Sequence, residues 1–177
     1  MRLCGQQAVW NYEEENGLLT IQGVGAMEDY TEPEQVPWNS LMQEIKVVVI
    51  RDGITTVGDY AFAGCSNLQE VTLPGSVDIV GVFSFKGCTG LREIVIPEGV
   101  RVLASKAFQF CSALKKVYLP STLIDVDMRA FGKCESLEEV FYQGSEEQWE
   151  QIMISRSASD NQYLVPVSYT HLRAHET

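Results

Sequence analysis

Apolar residues recur along this chain at an interval of 23 residues. Each unit, here called a rung, opens on Ile or Leu, has Val or Ile three residues later, and carries a third apolar residue two positions beyond. Alternation of this kind predicts a short strand with one buried face. Because the interval persists over four full rungs and into a fifth, it predicts a solenoid of stacked coils. The rungs open at Ile45, Leu68, Leu91, Leu114 and Leu137.

The second half of each rung is equally regular. Proline ends the strand in three rungs, since it cannot donate to a ladder of hydrogen bonds. Further aliphatic positions follow, and then come a small residue, a phenylalanine and, three residues later, a cysteine. This half predicts a short extended piece and one helical turn on the convex side, with inward stacks of phenylalanine and cysteine. The stacks are Phe62, Phe85, Phe108 and Phe131, and Cys65, Cys88, Cys111 and Cys134.

The pattern L-x-x-[VI]-x-[IL]-P, followed by aliphatic positions and [AS]-F-x-x-C, resembles the BspA-like class of bacterial leucine-rich repeats. The resemblance holds in register over residues 45–136, and both flanks also resemble the usual ends of that family. It implies an α+β repeat solenoid that is right-handed, with a parallel sheet on its concave side. It also implies attachment or recognition at a bacterial surface, and therefore a secreted or surface-displayed protein.

A solenoid needs covers at both open ends, and this requirement divides the chain. Residues 1–44 are predicted to form an N-terminal cap, with a β-hairpin of 8–12 and 18–22 around the Asn16-Gly17 turn signal. We expect a loop over 31–37 and a short helix over 38–44. Residues 45–136 form the four full repeats, and residues 137–165 form the closing rung and cap. Ser145 is expected to start a short helix in which Trp149 packs as a plug.

Residues 166–177 do not continue the repeat. They resemble translated sequencing-adapter sequence of the kind found at the ends of unrelated reading frames, which predicts a disordered, non-native tail. His171 and His175 have a spacing that would suit a metal on a helix, but they lie in this tail, so we assign them no metal.

Composition narrows the choice of partner. Asp and Glu outnumber Lys and Arg by 24 to 13, and the resulting net charge of −11 repels phosphate backbones and anionic lipid. No apolar run approaches the roughly 20 residues of a helical span. We therefore expect neither nucleic-acid binding nor membrane insertion, and we expect a monomer.

Catalytic chemistry finds little support in the sequence. Both histidines lie in the last seven residues, so no histidine-assisted nucleophile can be built within the repeats. The repeated cysteines occupy one structural position, and we predict that they are free thiols in the core. They lack the C-x-x-C spacing of a metal site. We predict no cofactor and no metal. The carboxylates of Glu70 and Glu93 would be neighbours and leave a hydrolase as a minor alternative.

Alternation along the first strand of each rung identifies the outward side chains. One outward column reads Val49, Thr72, Val95, Tyr118 and Phe141, and it becomes more aromatic toward the C-terminus. The core does not require aromatic residues there. We therefore predict a contact patch of Val95, Tyr118 and Phe141, edged by Glu93, Lys116 and Glu139. The alternative is cross-strand stacking that stabilises the sheet and binds nothing.

Together with the resemblance, these observations predict a non-catalytic module of a bacterial surface or secreted protein that recognises a protein or glycan ligand through the concave face. The ligand is expected on the host matrix or on a neighbouring cell surface. A structural spacer within a larger surface protein is the main alternative, and a carbohydrate-active hydrolase fragment is the minor one.

Overall fold

Two layers of short parallel strands run along the molecule, which the computed structural model describes for residues 2–156 and 160–169. After the N-terminal hairpin of β1 (Gln7–Glu13) and β2 (Leu18–Ala26), each rung adds one strand to each layer. The first-strand layer consists of β3 (Val47–Ile50), β5 (Glu70–Thr72), β7 (Glu93–Val95), β9 (Lys116–Leu119) and β11 (Glu139–Tyr142). The second-strand layer consists of β4 (Ile54–Val57), β6 (Ile79–Val80), β8 (Val102–Leu103), β10 (Asp125–Val126) and β12 (Met153–Ile154).

Strand pairing places like residues over like. Val48 pairs with Val71 and Ile94 with Val117 in the first-strand layer, while Ile79 pairs with Val102 in the second. Each pair is one rung apart, so the register follows the 23-residue interval of the sequence. The right-handed winding favoured for parallel crossover connections stays a prediction.

The third side of each coil corrects the expectation of a helical turn. Residues 58–67, 81–90, 104–113 and 127–136, here called the turn side, form consecutive tight turns. The N–H of Ala61 donates to the C=O of Gly58 within its rung, whereas the N–H of Phe62 donates to the C=O of Ser84 in the next rung. Because every second amide donates to the next rung, these amides cannot make the hydrogen bonds of a helix within their own rung. The molecule is a β-solenoid with few helices rather than an α+β fold.

Two positions of each turn-side segment adopt left-handed backbone. At the first position, the residue is never glycine: Tyr60, Phe83, Lys106 and Arg129 have φ of 63°, 58°, 58° and 54°. At the second position, the first two rungs carry glycine, including Gly64, but the later rungs carry Phe110 and Lys133 with φ of 62° and 59°. Side chains with a Cβ are strained in this conformation by about 1–2 kcal/mol per residue.

The core is a stack of aromatic rings along the coil axis. Phe62, Phe85, Phe108 and Phe131 are fully buried, with successive centroids 5.1, 5.2 and 5.2 Å apart, which confirms the predicted inward stack. Trp38 continues the stack at the N-terminal end, 5.5 Å from Phe62. Its Nε1 donates to the carbonyl of Ala61 at 2.8 Å.

The cysteines form a second buried column. The four repeated cysteines are free thiols in the core, as expected, and Cys4 in the N-terminal cap is also a free buried thiol. The Sγ of Cys88 donates to the carbonyl of Phe62 at 3.3 Å, and Cys111 and Cys134 repeat this bond at 3.2 Å in the following rungs. Burial raises the pKa of Cys65 to about 12. The thiols are packing groups that also satisfy a backbone carbonyl.

The N-terminal hairpin covers the first rung. Strands β1 and β2 are antiparallel around a turn in which Gly17 has φ of 61°, which confirms the predicted hairpin and extends it. The first half of β2 pairs with β3 and its end pairs with β4, so one strand covers both layers. The predicted loop contains a 3-10 turn, Pro33–Gln35, and only Asn39–Leu41 is helical in the segment predicted to be a helix.

The closing rung ends in the predicted helix, α1 (Glu146–Glu150). Ser145 caps it with a reciprocal capping box, and the buried ring of Trp149 meets Tyr142 edge-on at 5.1 Å. The expected disorder from residue 166 is wrong for the first four residues, which form β13 (Pro166–Tyr169) beside β11. An open strand edge accepts such a segment through main-chain bonds, whatever its side chains. Residues 170–177 lie outside the described residues.

Asn161 closes the turn side at the C-terminal end. Its Oδ1 accepts the N–H of Phe131 at 2.9 Å, and its Nδ2 donates to the carbonyls of Asp127 and Ser155. In earlier rungs the corresponding phenylalanine N–H donates to a carbonyl of the following rung. The side chain of Asn161, which is only 1% exposed, therefore replaces a peptide group of the missing rung.

The left-handed positions predict opposite effects for two substitutions. Gly64 has φ of 81° and a Cβ there would meet no atom within 4 Å, so the effect of Gly64→Ala is conformational alone. We expect Gly64→Ala to lower the free energy of unfolding by about 1 kcal/mol and Lys133→Gly to raise it by about 1 kcal/mol. Urea unfolding checks both values. Shifts in the same direction for the two variants would contradict the assignment of strain.

Asn161→Ala is expected to destabilise the fold by about 2–3 kcal/mol, because it leaves buried backbone groups without partners. Asn67→Ala is the matched control, since the exposed Nδ2 of Asn67 also donates to a backbone carbonyl, that of Gln43. We expect the control to cost less than about 1 kcal/mol by urea unfolding. Equal losses would refute the role of Asn161 as the end of the ladder.

The buried thiols predict sensitivity to base. Unfolded cysteine ionises near its ordinary pKa of 9.0, whereas native Cys65 stays protonated to about pH 12. The contribution of Cys65 to stability is therefore complete below pH 9.0 and falls above it, by about 1.4 kcal/mol per pH unit. Urea midpoints between about pH 8 and about pH 10 measure the slope. Cys65→Ala should reduce the slope, and an unchanged slope would contradict the mechanism.

Candidate functional site

The six residues of the predicted contact patch lie together on three neighbouring strands. Strands β7, β9 and β11 bury Ile94, Val117 and Val140, so the residues on either side of these positions face outward. Alternation along the strand thus places the side chains as predicted. The patch residues are Val95, Tyr118 and Phe141 in one column and Glu93, Lys116 and Glu139 in the other.

The apolar column forms a short continuous surface. Tyr118 stacks on Phe141 with ring centroids 4.9 Å apart and planes inclined by 19°. Val95 pairs in register with Tyr118 on the other side and is 51% exposed. Rings held on adjacent strands lose little side-chain freedom when a partner covers them, which suits an anchor for binding.

The charged column alternates in sign beside the rings. Lys116 lies between Glu93 and Glu139 in the strand register, and its Nζ is 3.6 Å from Oε1 of Glu139. Both side chains of this ion pair are about two-fifths exposed, at 43% and 41%, so the pair adds at most about 1 kcal/mol to stability. The column therefore gives the apolar surface a polar rim that remains available for hydrogen bonds.

The first-strand layer is divided in two, which alternation did not predict. Strands β7, β9, β11 and β13 form one sheet, whereas β5 belongs to the other sheet with β3 and β2. Where β7 and β9 pair regularly, the N–H of Lys115 donates to the carbonyl of Arg92. In the described residues, no such ladder of hydrogen bonds joins β5 to β7. Glu70 and Glu93 carry like charges on either side of this break, which disfavours pairing.

A polar cleft of about 490 Å³ accompanies the break. Its lining includes Ser66, Asn67, Gln69, Thr89, Gly90 and Arg92. A Cβ at Gly90 would lie 2.8 Å from the carbonyl oxygen of Ser66, so glycine allows a close approach of the backbones there. The signal in the sequence is this glycine, because the corresponding position of the other rungs carries Asn67, Ala113 and Ser136.

The sequence also raised a hydrolase, a metal site and a membrane span as possibilities, and the structure can be compared with each. Glu70 and Glu93, the residues of the hydrolase alternative, are both exposed on strands that do not pair. Within residues 2–156 and 160–169, no three His, Cys, Asp or Glu side chains converge as metal ligands do. His171 and His175 lie outside this part. In the same part, no helix combines the length and hydrophobicity that crossing a bilayer requires.

Solved structures resemble this chain in fold. A leucine-rich repeat protein from Eubacterium ventriosum matches with a TM-score of 0.66 at 23% identity, covering 82% of this chain and 44% of that protein. A leucine-rich cell surface protein from Faecalibacterium prausnitzii matches with a TM-score of 0.69 at 22% identity, covering 87% and 42%. A leucine-rich repeat protein from T. pallidum matches with a TM-score of 0.57 at 18% identity, covering 96% and 86%.

These identities show the fold alone, and this chain spans less than half the length of the first two proteins. No curated protein matches the chain. The sequence profile of the BspA type leucine rich repeat region, in contrast, matches residues 40–159 in 6 copies. Since that match covers more than half of the chain, the chain belongs to the BspA-type leucine-rich repeat family.

Proposed function

We propose that this chain is a non-catalytic recognition module of a secreted or surface-displayed bacterial protein. It binds a protein or glycan ligand through the first-strand layer, at the patch of Val95, Tyr118 and Phe141. The observation that carries the proposal is the aromatic pair at this position, since the rings stack on the outward face of a layer whose core is already filled.

The energetics of the pair favour a contact role. A cross-strand aromatic pair stabilises a sheet by roughly 0.2–1 kcal/mol, a modest gain for leaving two large rings on an outward face. Both rings are already half-buried on the sheet, so covering the remainder under a partner would contribute part of the roughly 1.5–3 kcal/mol of a fully buried apolar side chain. Val95, at 51% exposed, extends the apolar area that such a partner would cover.

The rim suits a specific partner. Glu93, Lys116 and Glu139 alternate in charge along the edge of the rings, in the manner of the polar border that surrounds an interface core. A complementary partner would present charged groups of opposite sign in the same order. This arrangement favours recognition of a defined surface over general adhesion.

The family and the neighbouring structures support a location at the cell surface. One similar structure is a leucine-rich cell surface protein, and this chain spans 42% of its length. The module is proposed to work as part of a larger surface architecture, with further domains supplying attachment.

A structural spacer is the second candidate function. The 4.9 Å stacking of Tyr118 on Phe141 favours it, because the same contact stiffens the sheet without any ligand. The two functions differ in one measurable respect, since a spacer tolerates polar substitution of both rings without loss of any binding.

The double variant Tyr118→Ser with Phe141→Ser tests the proposal. The recombinant chain is first screened for binding to collagen, fibronectin, laminin and an array of host and bacterial polysaccharides. For each hit, we expect the double variant to bind at least about tenfold more weakly, since losing 1.4 kcal/mol of burial has that effect. Its free energy of unfolding should fall by only about 1 kcal/mol.

The matched control carries Val49→Ser and Thr72→Ser in the same outward column, on the other side of the break. We expect this control to bind every hit normally. A screen without hits, or normal binding by the Tyr118 and Phe141 variant, would favour the spacer.

A further inference from the structure

A cluster of aromatic and cationic side chains occupies the turn side of the first three rungs. It consists of Tyr60, Phe83, Lys86, Lys106 and Phe110, here called the turn-side cluster. The rings of Tyr60 and Phe83 lie 4.7 Å apart. The Nζ atoms of Lys86 and Lys106 lie 4.9 and 5.0 Å from the centroid of Phe83, and Lys86 also reaches Phe110 at 5.9 Å.

The charge of this cluster opposes that of the chain. The net charge is −11, yet segments 81–90 and 104–113 contain two lysines and no Asp or Glu. In residues 2–156 and 160–169, neither Lys86 nor Lys106 has a carboxylate oxygen within the 4.0 Å of a salt bridge. The carboxylate of Asp59, on the preceding rung, accepts the N–H of Val82 at 2.8 Å. Two ammonium groups therefore meet at one ring without an acidic partner.

The backbone beneath the cluster is strained. Tyr60, Phe83, Lys106 and Phe110 have φ between 58° and 63°, a region that favours glycine. Phe110 is 45% exposed, so its ring does not compensate for this strain by packing in the core. The same backbone recurs at Arg129 and Lys133, so the exposed ring of Phe110, and not the strain, distinguishes this cluster.

We propose that the turn-side cluster binds an acidic oligosaccharide. The anionic group, a carboxylate or a sulfate, lies between Lys86 and Lys106, and an apolar face of a sugar ring covers the exposed ring of Phe110 or the edge of Phe83. Lysine supplies the strongly hydrated point charges that suit such anions. Both Nζ atoms lie about 5 Å from the centroid of Phe83, so one anionic group can contact both lysines.

Two observations favour a saccharide over other polyanions. Peptides commonly add to a sheet edge through free main-chain groups. On the turn side, alternate amides donate within the rung and to the next rung, so no such edge is offered. Nucleic acid carries a dense phosphate backbone, which the net charge of −11 repels along most of its length. The turn-side cluster lies on a different side of the coil from Tyr118 and Phe141. This proposal is therefore independent of the function proposed for the contact patch.

Calorimetry with the full chain tests the proposal. The probes are hexagalacturonate, its fully methyl-esterified form, and a heparin-derived hexasaccharide, which separate carboxylate, neutral and sulfate ligands of comparable length. We expect one of the two acidic probes to bind, with affinity that falls as salt rises. The neutral ester of hexagalacturonate should bind at least about tenfold more weakly than an acid that binds, because charge-assisted contacts exceed 1.4 kcal/mol.

Variants locate the binding to the cluster. Lys86→Gln with Lys106→Gln should lower the affinity at least about tenfold, whereas Lys46→Gln with Lys115→Gln makes the same change in net charge elsewhere and should leave it unchanged. Lys106→Gly provides a test that protects the fold, because glycine favours this backbone. We expect its melting temperature to be retained or raised while its affinity falls.

Several outcomes would overturn the proposal. They are binding of neither acidic probe, equal binding of the acid and its neutral ester, equal losses in the two lysine pairs, and unchanged affinity in Lys106→Gly. Tighter binding of a DNA duplex than of either acidic probe would also overturn it, since a polyphosphate would then be the preferred ligand.

Discussion

Each rung of this protein depends on the backbone groups and apolar side chains of the next. The amide of Phe62 finds its acceptor in the following rung, and its ring finds a stacking partner there as well. A single rung would expose both, so neither the hydrogen bonds nor the core exist without stacking. The ends of the array are then the weak points, and β2, Trp38 and Asn161 each complete contacts that a further rung would otherwise make.

Much of this fold could be predicted from the interval between like residues. The interval identified the first strand of each rung, the phenylalanine and cysteine columns, and the pairing register, because each follows from stacking at one period. The second-strand layer was harder to predict, since strands such as Ile79–Val80 are too short to show alternation. The turn side was expected to contain one helical turn, but the left-handed backbone at Tyr60 and Gly64 interrupts helical geometry.

The candidate site was predictable only in part, for a related reason. Val95, Tyr118 and Phe141 share one column, so alternation and period together placed them side by side. Lys86 and Lys106 occupy different positions within their rungs, and only the folded turns bring both to Phe83. The break between β5 and β7 likewise lies beside Gly90, whose close backbone approach to Ser66 is not recorded by a pattern of apolar residues.

The amide of Asn161 has a consequence for how proteins of this kind change in length. The carboxamide stands in for a peptide unit, and it bonds only to the preceding rung and to Ser155 of the same closing segment. Whole rungs inserted or deleted between Trp38 and Asn161 would therefore leave both terminal structures intact. Gene duplication could lengthen the module by whole rungs without a new cap. The length of the module can therefore evolve independently of its terminal structures.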